Sequence, residues 1–146
     1  MIYAIPDLTH PLASYLKDDP VRPHIPHEQR FGTHAQVFAL TENDTVKAMV
    51  CAKFCKGVPS SEQELLDNSD GEPDTAVFYT IWSYTPGAGQ RLIREALKQA
   101  QKDLPNVKKF VTLSPPTEMA RRFHTKNGAS VFRINSDTVN YEYIQY

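Results

Sequence analysis

Cysteine is scarce in this chain: Cys51 and Cys55 are the only two among 146 residues. They stand four apart on one strand-like stretch, where extended backbone separates such positions by about 13 Å. That is beyond disulfide reach, and no partners with zinc-ligand spacing accompany them. The pair therefore reads as small core residues of a reduced, cytoplasmic protein. Long hydrophobic runs are missing too; none approaches the roughly 20 residues a membrane helix requires, so no membrane partner is expected. The N-terminus Met1-Ile2-Tyr3-Ala4 lacks the basic and apolar regions of a secretory signal. Charge of one sign is absent overall, with a net charge of −1, which argues against a nucleic-acid partner. Length and composition fit one domain spanning residues 1–146, with enough apolar content to bury a core.

Two nucleotide motifs are excluded by what they lack. A dinucleotide fingerprint needs a third glycine and a downstream acidic residue in a βαβ unit. A triphosphate-binding loop needs Lys followed by Ser or Thr, whereas Gln90-Arg91 stand here.

What is present centres on residues 76–103. Ala76 to Trp82 is a run of β-branched and aromatic residues with the character of a buried strand. It breaks at Tyr84-Thr85-Pro86-Gly87-Ala88-Gly89, where proline fixes φ and glycine permits a tight turn. Leu92, Ile93, Ala96, Leu97, Ala100 and Leu104 then recur with helical spacing. A strand that feeds a glycine turn at a helix N-terminus makes an anion site, because unpaired amides and the helix dipole point the same way. The anion expected there is a pyrophosphate. A turn that merely joins strand to helix is the plainer reading of the same residues.

Around this unit the chain predicts a short helix at Leu8–Leu16, capped by Asp7 or Thr9, and a proline-rich loop at Asp18–Pro26. In that loop His24 and His27 lack a placed third metal ligand. Strands follow at Ala35–Leu40 and Val46–Ala52. Ser60 and Gln63 suggest a capping box for a short helix. Asp67–Asp74 is expected to be polar and mobile. Beyond the central helix come a strand at Val107–Leu113, a helix over Pro116–Lys126 capped by Ser114, and a hairpin of Val131–Ile134 with Val139–Ile144. An acidic stretch, Glu62 to Asp74, contrasts with basic residues between Arg91 and Lys126. These are solvated faces, or a positive field suited to a phosphorylated small ligand. The fold class is α+β, a mixed central sheet flanked by helices.

This order of elements resembles the GNAT fold of acyl-CoA-dependent N-acetyltransferases. A closer resemblance is to the catalytic domain of malonyl-CoA decarboxylase, itself of GNAT-like fold. It is carried by Gly57-Val58-Pro59-Ser60-Ser61, Ala76–Ile81, Phe110–Pro115, Phe123-His124 with Asn127-Gly128-Ala129, Arg133-Ile134-Asn135 and Val139-Asn140-Tyr141. The resemblance implies a coenzyme A thioester as substrate, with no other cofactor and no metal. It implies His124 and Thr80 as catalytic residues, Thr80 standing where the family has serine. It implies a coenzyme-binding set of Tyr84, Gly87, Ala88, Gly89, Gln90, Arg91, Ser114, Arg121 and Arg122. Tyr84 stands where the superfamily usually has Arg or Gln. The family's N-terminal helical domain is missing, and the segments before Phe123 and before Val139 are shortened. The expected activity is conversion of malonyl-CoA to acetyl-CoA and carbon dioxide. Acetyl transfer to an amine and non-catalytic acyl-CoA binding are the alternatives.

Overall fold

A computed structural model of the protein describes residues 1–68 and 71–144. Seven strands form one sheet: β1 (Ile2–Ile5), β2 (Ala35–Glu42), β3 (Thr45–Cys55), β4 (Thr75–Ser83), β5 (Lys109–Thr112), β6 (Ala129–Ile134) and β7 (Val139–Tyr143). Their order across the sheet is β1-β2-β3-β4-β5-β7-β6. All neighbours pair antiparallel except β4 and β5, which run parallel. A parallel pair needs a crossover, and helix α2 (Ala88–Asp103) supplies it.

Helix α2 lays Leu92, Ile93, Ala96 and Ala100 on one sheet face, against Phe38, Val50, Phe78 and Phe110. The opposite face holds Val37, Met49, Cys51, Val77, Tyr79 and Leu113, covered by Leu16 and Ile25 from the N-terminal segment. Both cysteines are buried thiols, and burial pushes each up to about 11. The central strands are apolar on both faces, which is why they read as unbroken hydrophobic runs.

Several local expectations shift. Strand β1 was not anticipated, since four residues carry too little periodic signal. The Leu8–Leu16 helix is a 3₁₀ segment over Pro11–Asp18, and its cap is His10, whose ring accepts from the Leu12 amide. Asp7 accepts from the Thr9 amide and hydroxyl instead, and Leu8 stays exposed. A second 3₁₀ turn, His27–Arg30, interrupts the proline-rich loop. Helix α1 (Glu62–Asp67) is capped by Ser61 with Glu64, one residue beyond the expected Ser60–Gln63 box. Glu64 in turn accepts from the Ser60 amide and hydroxyl. Helix α3 (Glu118–Lys126) is capped by Thr117 rather than Ser114, because Ser114 is held in a bridge to Val139 beside the sheet. The mobility expected of Asp67–Asp74 falls partly on residues 69 and 70, outside the described residues. Within that stretch, the Asp74 carboxylate accepts from the Gly57 amide and the Thr75 hydroxyl.

A polar clasp joins the loop at 57–61 to the C-terminal hairpin. Asn140, fully buried, donates to the Pro59 and Thr112 carbonyls and accepts from Asn135 and Arg133. Thr138 donates to the Ser60 carbonyl, and Arg133 to that of Val58. Strings far apart in the chain thus meet in one network around the buried Asn140. Replacing Asn140 by leucine leaves two buried carbonyls without donors, and an unsatisfied group of this kind costs about 1–3 kcal/mol. Chemical denaturation of Asn140→Leu should show a loss of at least that size; an unchanged midpoint would mean that water replaces the clasp.

Candidate active site at the β4–β5 gap

The β4–β5 ladder runs from Thr75↔Lys109 to Phe78↔Thr112 and then stops. The next pair in register, Tyr79 and Leu113, has parted. In the same region β4 carries a bulge against β3, with Cys51 opposite Thr80 and Ala52 opposite Phe78. A bulge of this kind bends the strand and re-aims its side chains. A gap between parallel strands results, with α2 beginning just beyond β4.

At the entrance lies the N-terminus of α2. Gly87 takes φ of +82° as its cap residue, with no side-chain cap and no acidic residue in the first turn. Among the described residues, the Gly89 and Gln90 amides have no acceptor. Ala88 and Gly89 are buried, Gln90 half-buried. Gly89 has a further reason to lack a side chain: a Cβ there would stand 3.4 Å from the Phe123 ring. Its smallness lets α2 and α3 approach, whereas the space around Gly87 is open. The turn therefore combines free amides with a dipole uncompensated by any acidic side chain in the first turn, a suitable cradle for phosphate oxygens.

His124 sits on α3, buried, stacked on Tyr141 with centroids 5.2 Å apart. Its Nδ1 is 2.7 Å from the Tyr143 hydroxyl. Burial drives its pKa down to about 4 and pushes that of Tyr143 up, so both are neutral near pH 7. A phenol that keeps its proton can donate to Nδ1, and in that tautomer the imidazole N–H stands on Nε2. Among the described residues Nε2 has no hydrogen-bond partner. Desolvation disfavours the imidazolium, so the buried ring is neutral where an exposed histidine would be partly charged. Tyr141 also ties this side to the gap, since its amide donates to Thr112 Oγ1 at the end of the ladder.

Thr80, also buried, lies on the β4 side. It makes no hydrogen bond to His124. Its partner is Arg22, whose Nη1 stands 3.4 Å from Thr80 Oγ1. Arg22 is buried and also donates through Nη1 to the Tyr79 carbonyl and through Nη2 to the Leu113 carbonyl at 2.7 Å. Glu62 lies 3.1 Å from its Nε. Burial lowers the Arg22 pKa, opposed by Glu62 and Asp19. Arg30 and Asp19, both fully buried, pair at 2.7 Å behind it, and Arg30 donates to the Arg22 carbonyl at 2.6 Å.

The remaining expected residues divide. Tyr84 sits beside the turn, but its hydroxyl accepts from the Trp82 indole and donates to Asp18; burial, the largest cause, with Asp18 adding, pushes it up to about 12. Ser114 is buried with its hydroxyl 2.7 Å from that of Thr112. Arg91 pairs with Glu42 at 2.6 Å, Arg121 with Glu118, and Arg122 lies 3.8 Å from the same carboxylate. The three guanidiniums are exposed, so these pairs are readily exchanged for a phosphate. His24 contacts Glu62 at 2.5 Å, and no cluster of three metal-ligating side chains occurs among the described residues. No helix among them is long and apolar enough to cross a membrane. Arg22, Asp19, Arg30 and Tyr143 carried no motif; a proline-rich loop and a strand tyrosine look ordinary until the chain folds.

Comparison with known proteins bears on this geometry. The family model of the malonyl-CoA decarboxylase C-terminal domain matches residues 38–138. The structure of malonyl-CoA decarboxylase from Agrobacterium vitis is similar at 22% identity with a TM-score of 0.80, over 99% of this chain and 60% of that one. The enzyme from Cupriavidus metallidurans gives 18% identity and a TM-score of 0.73, again over 99% and 60%. A GNAT family acetyltransferase from Elizabethkingia anophelis with acetyl-CoA bound gives 12% identity and 0.68, covering 99% and 97%. The chain thus has the GNAT fold, and it spans about 60% of the length of the decarboxylase structures. No curated protein sequence matches it significantly.

Proposed function

The chain belongs to the malonyl-CoA decarboxylase C-terminal domain family, and from that premise we propose that it binds an acyl-CoA thioester and decarboxylates malonyl-CoA to acetyl-CoA. The observation that carries this reading is the family match over residues 38–138, and it is supported by the burial of both residues that the family resemblance makes catalytic, Thr80 and His124. Loss of carbon dioxide leaves the electron pair of the broken C–C bond on the thioester as an enolate. Such a reaction needs a donor for the oxyanion, a site shielded from water and a proton for the carbon. The Thr80 hydroxyl supplies the first. His124 supplies the proton from Nε2: a thioester enolate is basic enough to take it from a neutral imidazole, and solvent restores it. Tyr143 holds the ring in the tautomer that this requires.

The pyrophosphate of the coenzyme is assigned to the amides of Gly87 to Gln90. Gly87→Val forces a branched residue into left-handed backbone beside those amides, and isothermal titration should show coenzyme A affinity falling about tenfold or more. Gly89→Val also disturbs Phe123, so it reports packing as well as phosphate approach. Because Arg91, Arg121 and Arg122 are exposed, their contribution should fade between low and high salt. Affinity unchanged by Gly87→Val and by salt would remove the phosphate assignment.

The activity is tested by carbon dioxide release from malonyl-CoA with no amine present. Thr80→Val should slow it, while Thr80→Ser should preserve or raise it. Wild-type protein that releases none but acetylates an amine from acetyl-CoA would establish the transferase instead. Binding without either reaction would leave an acyl-CoA-binding module.

A further inference from the structure

Arg22 stands where the sheet comes apart. The parallel register adds 34 to each β4 position to reach its β5 partner, from Thr75↔Lys109 to Phe78↔Thr112. Tyr79 and Leu113 are the next pair, and Arg22 donates to both carbonyls, through Nη1 and Nη2. One guanidinium thus bridges the first pair that the ladder leaves unjoined. Carbonyls in this position would otherwise be buried without donors, and the strands would gain by closing. Nη1 also reaches Thr80 Oγ1 at 3.4 Å. A hydroxyl that accepts from a cation keeps its own O–H free to donate, and the charge behind it strengthens that donation.

Arg22 is itself built in. Its carbonyl accepts from Arg30 Nη2 at 2.6 Å, and its amide donates to Asp19 at 2.8 Å. Its Nε faces Glu62 at 3.1 Å. Among the described residues, the second N–H of Nη2 has no acceptor, so the guanidinium retains capacity for one more oxygen. Asp19 and Arg30 neutralise one another, and the counter-ion of Arg22 is Glu62, a partly exposed carboxylate that His24 also contacts.

We propose that Arg22 is the positioning and specificity-determining residue of the acyl site: it wedges β4 from β5, fixes Thr80 as a donor, and favours an acyl group that carries or develops negative charge. The inference rests on the acyl-CoA reading above, and it adds the residue that would select the anionic acyl group. Arg22→Met deletes the guanidinium and keeps the apolar stem. Arg22→Lys keeps a charge that cannot span two carbonyls.

Binding is measured by isothermal titration with free coenzyme A, acetyl-CoA and sulfoacetyl-CoA, whose sulfonate mimics the malonyl carboxylate and cannot leave. Wild-type protein should bind sulfoacetyl-CoA more tightly than the other two. Both variants should lose that preference while holding free coenzyme A within about twofold. In turnover, Arg22→Met should lower kcat about 10–10³-fold and raise KM for malonyl-CoA as the preference for the anionic acyl group is lost. It should cost less in a Thr80→Val background, since the two act through one hydroxyl. A purely structural role would instead weaken all three ligands together and leave the double variant additive; that pattern overturns the proposal. If Arg22→Met does not fold, Arg22→Lys carries the same comparison. A wild-type chain without preference for the sulfonate overturns the Arg22 assignment and leaves decarboxylation to its own assay. A chain that prefers the sulfonate yet releases no carbon dioxide supports Arg22 and removes the decarboxylase.

Discussion

His124→Ala is expected to reduce carbon dioxide release from malonyl-CoA by about 10²–10⁴-fold, with coenzyme A affinity nearly intact. Coenzyme affinity should survive because the amides assigned to the pyrophosphate lie on α2, whereas His124 is on α3. The pH dependence separates two roles for the ring. An imidazolium acid with the ordinary value of 6.5 would lose activity as pH rises through neutrality. The buried ring has a folded value of about 4, so activity should instead persist above pH 7 and fall only in acid. The same group makes stability pH-dependent. Its folded value lies below the unfolded one, so the unfolded chain binds the extra proton between them. Stability is then fully present above about pH 6.5 and is lost as pH falls toward 4, by roughly 3 kcal/mol. Denaturation curves of wild type and His124→Gln across that window should converge in acid. A rate profile that falls above pH 6.5, or a His124→Ala enzyme of undiminished kcat, would refute the neutral-donor role.

Asp19→Ala should be the most destabilising single substitution considered, at about 3–5 kcal/mol. The carboxylate accepts from the Val21 and Arg22 amides at 2.8 Å through one oxygen and from Arg30 at 2.7 Å through the other. Both side chains of the ion pair are fully buried. Removing Asp19 leaves the Arg30 charge, among the described residues, with the Arg22 carbonyl and the Cys51 sulfur as partners. Desolvated charge without a counter-ion dominates that loss. Removing both members, as in Asp19→Leu with Arg30→Met, should recover much of it because no buried charge remains. Urea denaturation gives the comparison. A double variant as unstable as Asp19→Ala would show that the amide contacts, not the charge pair, hold the loop. Because Asp19 also fixes the Arg22 backbone, turnover in Asp19→Ala should fall further than stability alone accounts for under folding conditions.

Much of the sheet and of the glycine turn was legible because local chemistry decides it. β-Branched and aromatic runs at 76–82 suit a strand in any context. Glycine at 87 is required by left-handed backbone, and the apolar spacing from Leu92 to Ala100 defines a helix face before anything packs on it. Those features mark a glycine turn at a helix N-terminus, and the strings at 57–61, 110–115, 133–135 and 139–141 carry the family resemblance. What they do there was hidden, since Asn140 meets Pro59 and Thr112 only through tertiary contacts. Caps moved by one to three residues because Ser60 and Ser114 found other partners first. The titration of His124 and the wedge at Arg22 belong wholly to the tertiary structure. A pKa follows from burial, and no spacing along the chain encodes how dry an imidazole will be. Arg22 is 57 residues from Tyr79 and 91 from Leu113, so its purpose exists only once the two strands lie side by side and part.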